Sequence, residues 1–199
     1  MLSKVYVFVE NYPFNVENEE IYPQERADEI KNCKNFDVKN QKFFAWKLLE
    51  KACKKLGFEF KKINFYKEKN KWKCDKFYFS ISHSKNAVAL AISDEKIGID
   101  IEKKDVSRFE KLGKKIICNI SEIIDNHNLG EQLNILWTAK EALFKCGENS
   151  VFKPSNEDTT KANIESKMLR VGEEKFFLSV VCFEKISCQY DLGENVSFY

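Results

Sequence analysis

The chain has 199 residues, 43% of them hydrophobic and 14% aromatic, enough for one large domain or two small ones with a real core. Three prolines and seven glycines exclude a long linker or low-complexity segment, and no run of about 18 apolar residues marks a membrane span. The net charge of +2 hides an asymmetry: Gln24 to Lys76 carries 16 Lys/Arg against 8 Asp/Glu, so the remainder is acidic by 6.

Residues 4–9 alternate as a strand does, and the early Glu10 argues against a signal peptide. A helix can begin around Tyr22-Pro23-Gln24, with proline in its first turn. A second helix is expected from about Lys39 to Leu56, with Phe43, Trp46, Leu49 and Cys53 on its apolar side and Gly57 at its end. Phe58 to Tyr66 alternates as a short strand would, and Asn70-Lys71-Trp72 is expected in a loop. Phe77–Ser84 and Ala87–Ser93 read as two strands joined by a turn, followed by a third over Ile97–Glu102. Helical segments are expected near 105–114, at 121–126 and over 130–146. Strands return at 162–165, 176–183 and 186–191. The whole is an α+β chain of two similar halves, residues 1–103 and 104–199, each running strand, helices, strands.

The seven cysteines have no CxxC spacing, and only two histidines accompany them, which suits reduced thiols in a cytoplasmic protein. Asp100 and Glu102 are two apart in a strand, so their carboxylates share a face. Such a pair suits a magnesium ion, or else a solvated acidic edge. Glu141 and Lys145 are four apart in the last long helix and also share a face, as an ordinary surface ion pair would. Ser82 and His83 are adjacent in a strand and point to opposite faces, which argues against a Ser-His hydrolytic dyad.

Three segments in order resemble the Sfp-type 4′-phosphopantetheinyl transferases. Phe79-Ser80-Ile81-Ser82-His83-Ser84 is similar to the family's F-N-I-S-H-S segment. Gly98-Ile99-Asp100-Ile101-Glu102 resembles its G-(I/V)-D-(I/V)-E signature, and Trp137–Gly147 its W-x-x-K-E-x-x-x-K signature, with one residue fewer before Gly147. The resemblance implies two pseudo-symmetric α/β halves with the active site in the cleft between them. It also implies transfer of the phosphopantetheine arm of coenzyme A to a serine of an apo acyl or peptidyl carrier protein, releasing adenosine 3′,5′-bisphosphate. Such carriers serve fatty-acid, polyketide or nonribosomal peptide synthesis.

Under this resemblance Asp100, Glu102 and Glu141 are metal-ligand positions for Mg²⁺ or Mn²⁺. Glu141 and Lys145 are catalytic, and Lys31, Lys42, Lys71, Ser82, His83 and Lys145 contact coenzyme A. The carrier-facing segments are roughly 115–130 and 145–160. A monomer suffices, with neither membrane nor nucleic acid as partner. The rival readings are a magnesium-dependent phosphatase or nuclease on the same carboxylates, and a non-catalytic nucleotide- or RNA-binding module.

Overall fold

A computed structural model describes residues 3–12, 20–69, 71–122, 128–147 and 151–199. The elements in chain order are β1 (Ser3–Asn11), α1 (Gln24–Lys31), α2 (Phe36–Lys55), β2 (Phe65–Glu68), β3 (Lys71–Cys74), β4 (Tyr78–Ser84), β5 (Ala87–Ser93), β6 (Ile97–Lys103), α3 (Val106–Leu112), α4 (Leu129–Cys146), β7 (Asn163–Val171), β8 (Glu174–Cys182), β9 (Ile186–Leu192) and β10 (Val196–Phe198). The α+β class follows, with two four-stranded sheets and a small hairpin. One sheet has the order β4-β5-β1-β9, the other β10-β7-β8-β6, and β2 pairs with β3.

The two large sheets pack face to face. Alternate residues of β1 and β5 (Val5, Val7, Val9, Ala87, Ala89, Ala91) meet Ile97, Ile99 and Ile101 of β6 and Leu178 and Val180 of β8 in one core cluster, as the period of two requires. The alanines leave space for the bulkier facing residues. On the outer face of the first sheet, Phe8, Val88, Leu90 and Ile92 lie against Trp46, Leu49, Ala52 and Cys53 of α2. On the outer face of the second, Val181 packs with Ala142, Leu143 and Cys146 of α4. The layers are therefore helix, sheet, sheet, helix.

Strands pass between the expected halves. β6 pairs antiparallel with β8, while β9 returns to pair parallel with β1.

Local chemistry explains the helix ends. The Asn35 side chain accepts the Val38 N–H at 3.0 Å at the start of α2. At its end Gly57 has φ +82, and the Phe58 and Gly57 N–H groups bond to the Cys53 and Lys54 carbonyls at 2.8 and 3.2 Å, a Schellman closure that favours glycine.

Several expectations need correction. Lys71 and Trp72 stand in β3 rather than in a loop, and Asn70 lies outside the described residues. The stretch expected as a strand from Phe58 begins with a 3-10 turn over Phe60–Lys62, and pairing starts only at Phe65. Phe60 is drawn into the core beside Trp46 and Phe65, so burial outweighs the apparent alternation. Of the helix expected at 121–126, a 3-10 turn ends at Glu122, and 123–127 lie outside the described residues. β10 was not expected.

All seven cysteines are free thiols. Burial pushes those of Cys53, Cys146 and Cys188 up to about 12, so none of these three is primed as a nucleophile. Among the described residues no helix is long and apolar enough to cross a membrane.

Candidate active site

Gly98 decides how closely β6 approaches α4. A Cβ built there would fall on the carbonyl of Ala142 and come within 2.8 Å of the Cys146 nitrogen. The residue two further along the same face is Asp100, and the next is Glu102. Glycine therefore lets the strand press against the helix that carries Glu141 and Lys145.

β4 runs along the free edge of β6. Its Ser80, Ser82 and Ser84 are spaced by two and point the same way. Ser80 Oγ accepts the Ile99 N–H at 3.1 Å, and Ser84 Oγ accepts the Lys103 N–H at 3.2 Å. Serines thus satisfy backbone donors of β6 that no strand pairs. Ser82 Oγ, between them, donates to Asp100 Oδ1 at 2.7 Å.

Asp100 is buried, with only 2% of its surface exposed. Its Oδ1 receives both Ser82 and the Lys145 ammonium, the latter at 2.7 Å, and Lys145 Nζ also lies 3.0 Å from Ser82 Oγ. Its Oδ2 is buried and has no hydrogen-bond partner. The expected surface pairing of Glu141 with Lys145 is not what forms: the ion pair of Lys145 crosses from α4 to Asp100 on β6.

Glu102 is held loosely, by Ser84 Oγ at 3.3 Å and by the Arg108 guanidinium of α3 at 3.8 Å. Burial and then the charge of Asp100 raise its pKa. Glu141 is raised further, to about 7, by burial first and then by Asp100, with Lys145 opposing and Glu102 adding. Three carboxylates therefore feel one another across β6 and α4. The Trp137 indole N–H is buried beside them without a well-formed hydrogen bond and favours the charged forms of both glutamates.

His83 faces the other side of β4. Its surface is open to solvent, yet surrounding protein strips part of its hydration, and this, followed by the charge of Lys145, lowers its pKa. Lys71 reaches across from β3 to the end of α4, its ammonium 3.5, 3.5 and 3.2 Å from the Phe144, Lys145 and Gly147 carbonyls. A cation there satisfies orphan carbonyls and complements the helix dipole.

Lys42 of α2 pairs with Glu29 at 2.9 Å, while Lys31 is exposed at the last turn of α1. The structure thus gathers Asp100, Glu102, Glu141, Lys145 and Ser82, sets His83 at their margin, ties Lys71 to the same helix, and leaves Lys31 on the surface. Sequence reasoning missed Ser84, Arg108 and Glu29, and of the cations on Glu29 it missed Arg26 and Lys67 but not Lys42. The i, i+2 serines of β4 and the i, i+3 spacing of Arg26 and Glu29 were the available signals.

Residues 96–186 match the family model described as ACPS, 4′-phosphopantetheinyl transferase superfamily. This part of the chain is similar to that superfamily. Comparison with curated proteins gave no match. The superfamily segment contains β6 and α4, and with them Asp100, Glu102, Glu141 and Lys145. Phosphopantetheinyl transfer is the general activity of the superfamily. Ser82, His83, Lys71, Lys42 and Lys31 lie before the matched stretch.

The surroundings of the carboxylates bear on whether they can hold a cation. Among the described residues no group of three His, Cys, Asp or Glu side chains forms a ready-made metal cage. The chemistry of the donor set fits a hard divalent cation nonetheless. An orphaned buried oxygen on Asp100 and two glutamates raised by burial and then by the charge of Asp100 all gain from a positive charge.

Proposed function

We propose that the chain transfers the 4′-phosphopantetheine arm of coenzyme A to a serine of an apo carrier protein, as an Sfp-type enzyme. The observation that carries this is the convergence of Asp100, Glu102 and Glu141, with Lys145, inside the superfamily segment. Asp100 through Oδ2, Glu102 and Glu141 would hold the magnesium ion. When bound, the ion neutralises charge on the pyrophosphate oxygens.

The carrier serine oxygen attacks the β-phosphorus, a new phosphodiester bond forms, and the bond to the bridging oxygen breaks, releasing adenosine 3′,5′-bisphosphate. Lys145 holds three donors and spends them on Asp100 and Ser82; it is placed to share one with a phosphate oxygen as charge develops. Glu141, or a water it would position on the metal, is the candidate base for the serine proton. Ser82 fixes Asp100, and His83 and Lys71 add positive or donor groups for the phosphates.

The test is the intact mass of an apo carrier incubated with the chain, coenzyme A and Mg²⁺. One added phosphopantetheine, lost in Asp100→Ala and Glu141→Ala, supports the reading. No addition to any of several carriers refutes it, and phosphate release without a carrier would favour hydrolysis.

A further inference from the structure

A second charged cluster lies outside the carboxylate site, between α1, α2 and the β2–β3 hairpin. Glu29 Oε2 binds Arg26 Nη1 at 3.0 Å, Trp72 Nε1 at 3.0 Å and Lys67 Nζ at 3.2 Å, and its Oε1 binds Lys42 Nζ at 2.9 Å. Three cations around one carboxylate leave a net charge of +2. Without an anion at the centre these cations would repel one another, and the two flexible lysines would disperse.

The members differ in freedom. Arg26 is buried, donates also to the Lys42 carbonyl at 3.1 Å, and lies 4.9 Å from the Trp46 ring. Its guanidinium is a fixed wall. The side chains of Lys42 and Lys67 are 30% and 33% exposed, and each ammonium has three donors, so both can serve a ligand while still held by Glu29.

Two features relate this patch to the carboxylate site. The charge of Arg26 reaches His83. Trp72 follows Lys71, whose ammonium rests on the end of the helix carrying Glu141 and Lys145.

We infer that Glu29 is a positioning residue: it gathers Arg26, Lys42, Lys67 and Trp72 into one cationic patch that holds a phosphate monoester at the nucleotide end of the substrate. The inference rests on the coenzyme A reading above. The charge agrees, since a phosphate monoester is nearly dianionic at neutral pH. The role assigned to Glu29 gives the opposite sign to plain electrostatics. As a mere neighbouring charge, Glu29 would repel a phosphate, and neutralising it would tighten binding. As the organiser of the patch, its neutralisation lets the cations separate and weakens binding.

Calorimetric titration of the full chain with adenosine 3′,5′-bisphosphate and with adenosine 5′-phosphate decides the matter. The wild type is expected to prefer the bisphosphate, and Glu29→Gln to lose about tenfold of that preference, or ~1.4 kcal/mol, with affinity for adenosine 5′-phosphate unchanged as the control for folding. Lys67→Met, which keeps Glu29, is expected to move the same way and decides the question if Glu29→Gln does not fold. Bisphosphate binding by Glu29→Gln as tight as or tighter than wild type overturns the inference while leaving the transferase reading intact. A wild type that binds neither nucleotide overturns the transferase reading and this inference with it.

Discussion

Replacing Glu141 by glutamine should stabilise the protein above neutral pH. Glu141 titrates at about 7 in the fold against 4.5 ordinarily, because burial and Asp100 disfavour its charge. Between those values the folded chain holds a proton that the unfolded chain has released. Stability contributed at this position therefore falls as pH rises from 4.5 to 7 and stays low above it. At about 1.4 kcal/mol per pKa unit the full penalty is roughly 3 kcal/mol. Water reaching the site screens part of it, leaving about 1–3 kcal/mol. Glutamine keeps the shape and removes the charge. For a chain of this size each kcal/mol moves Tm by about 2–4 °C, so Glu141→Gln is expected to melt about 2–12 °C higher at pH 8. At pH 4.5 the two proteins should be separated by about 2 °C or less. Magnesium should raise the wild-type Tm at pH 8 and leave the variant nearly unmoved. Thermal melts across this range are the assay. A variant less stable than wild type at pH 8, or a difference that does not change with pH, would refute the reasoning.

Gly98→Ala should force β6 away from the Ala142 carbonyl, costing about 1–3 kcal/mol or more by overpacking; a melting temperature within error of wild type contradicts the close approach. Lys140→Met removes one partner of the fully buried pair with Glu122, 2.8 Å apart, and should cost about 3–5 kcal/mol in denaturant unfolding. Lys71→Ala uncaps α4 and should cost about 1 kcal/mol, with Lys71→Arg recovering most of it. His83 should titrate below 6.5 by NMR, and Lys145→Gln should raise its midpoint, because the ammonium is the second cause of the depression; an unmoved midpoint separates the two side chains.

The sequence made the long, strongly periodic elements legible. α2 and α4 carry apolar residues at helical spacing, and β4, β5 and β6 carry the densest alternation. It also placed Asp100 and Glu102 on one face, because the strand period is local. The partners of those carboxylates are not local. Lys145 was expected to look one turn back to Glu141 and instead crosses to Asp100, since the close approach of β6 to α4 at Gly98 makes the longer-range pair available. Lys71 shows the same limit: its residue type was informative, but its place on the end of α4 depends on a hairpin packed some 70 residues away in sequence. Phe60 left its strand pattern because Trp46 and Phe65 offered burial. Glu29 drew no notice, because four partners from four elements give it meaning.

The parallel pairing of β1 with β9 also has a consequence for how the chain is made. β1 and its outer neighbour, residues 186–192, are separated in sequence by nearly all the other described elements, so β1 waits for most of them to be made. Until β9 is made, the Val5, Val7, Val9 strand has β5 as its one partner among the described residues, and its other edge stays open. Such an edge is a place where another chain can pair. Completion of the first sheet is thus a long-range closure of the kind that slows folding, and a chain stalled before residue 186 is expected to expose the strand on which the completed sheet is built.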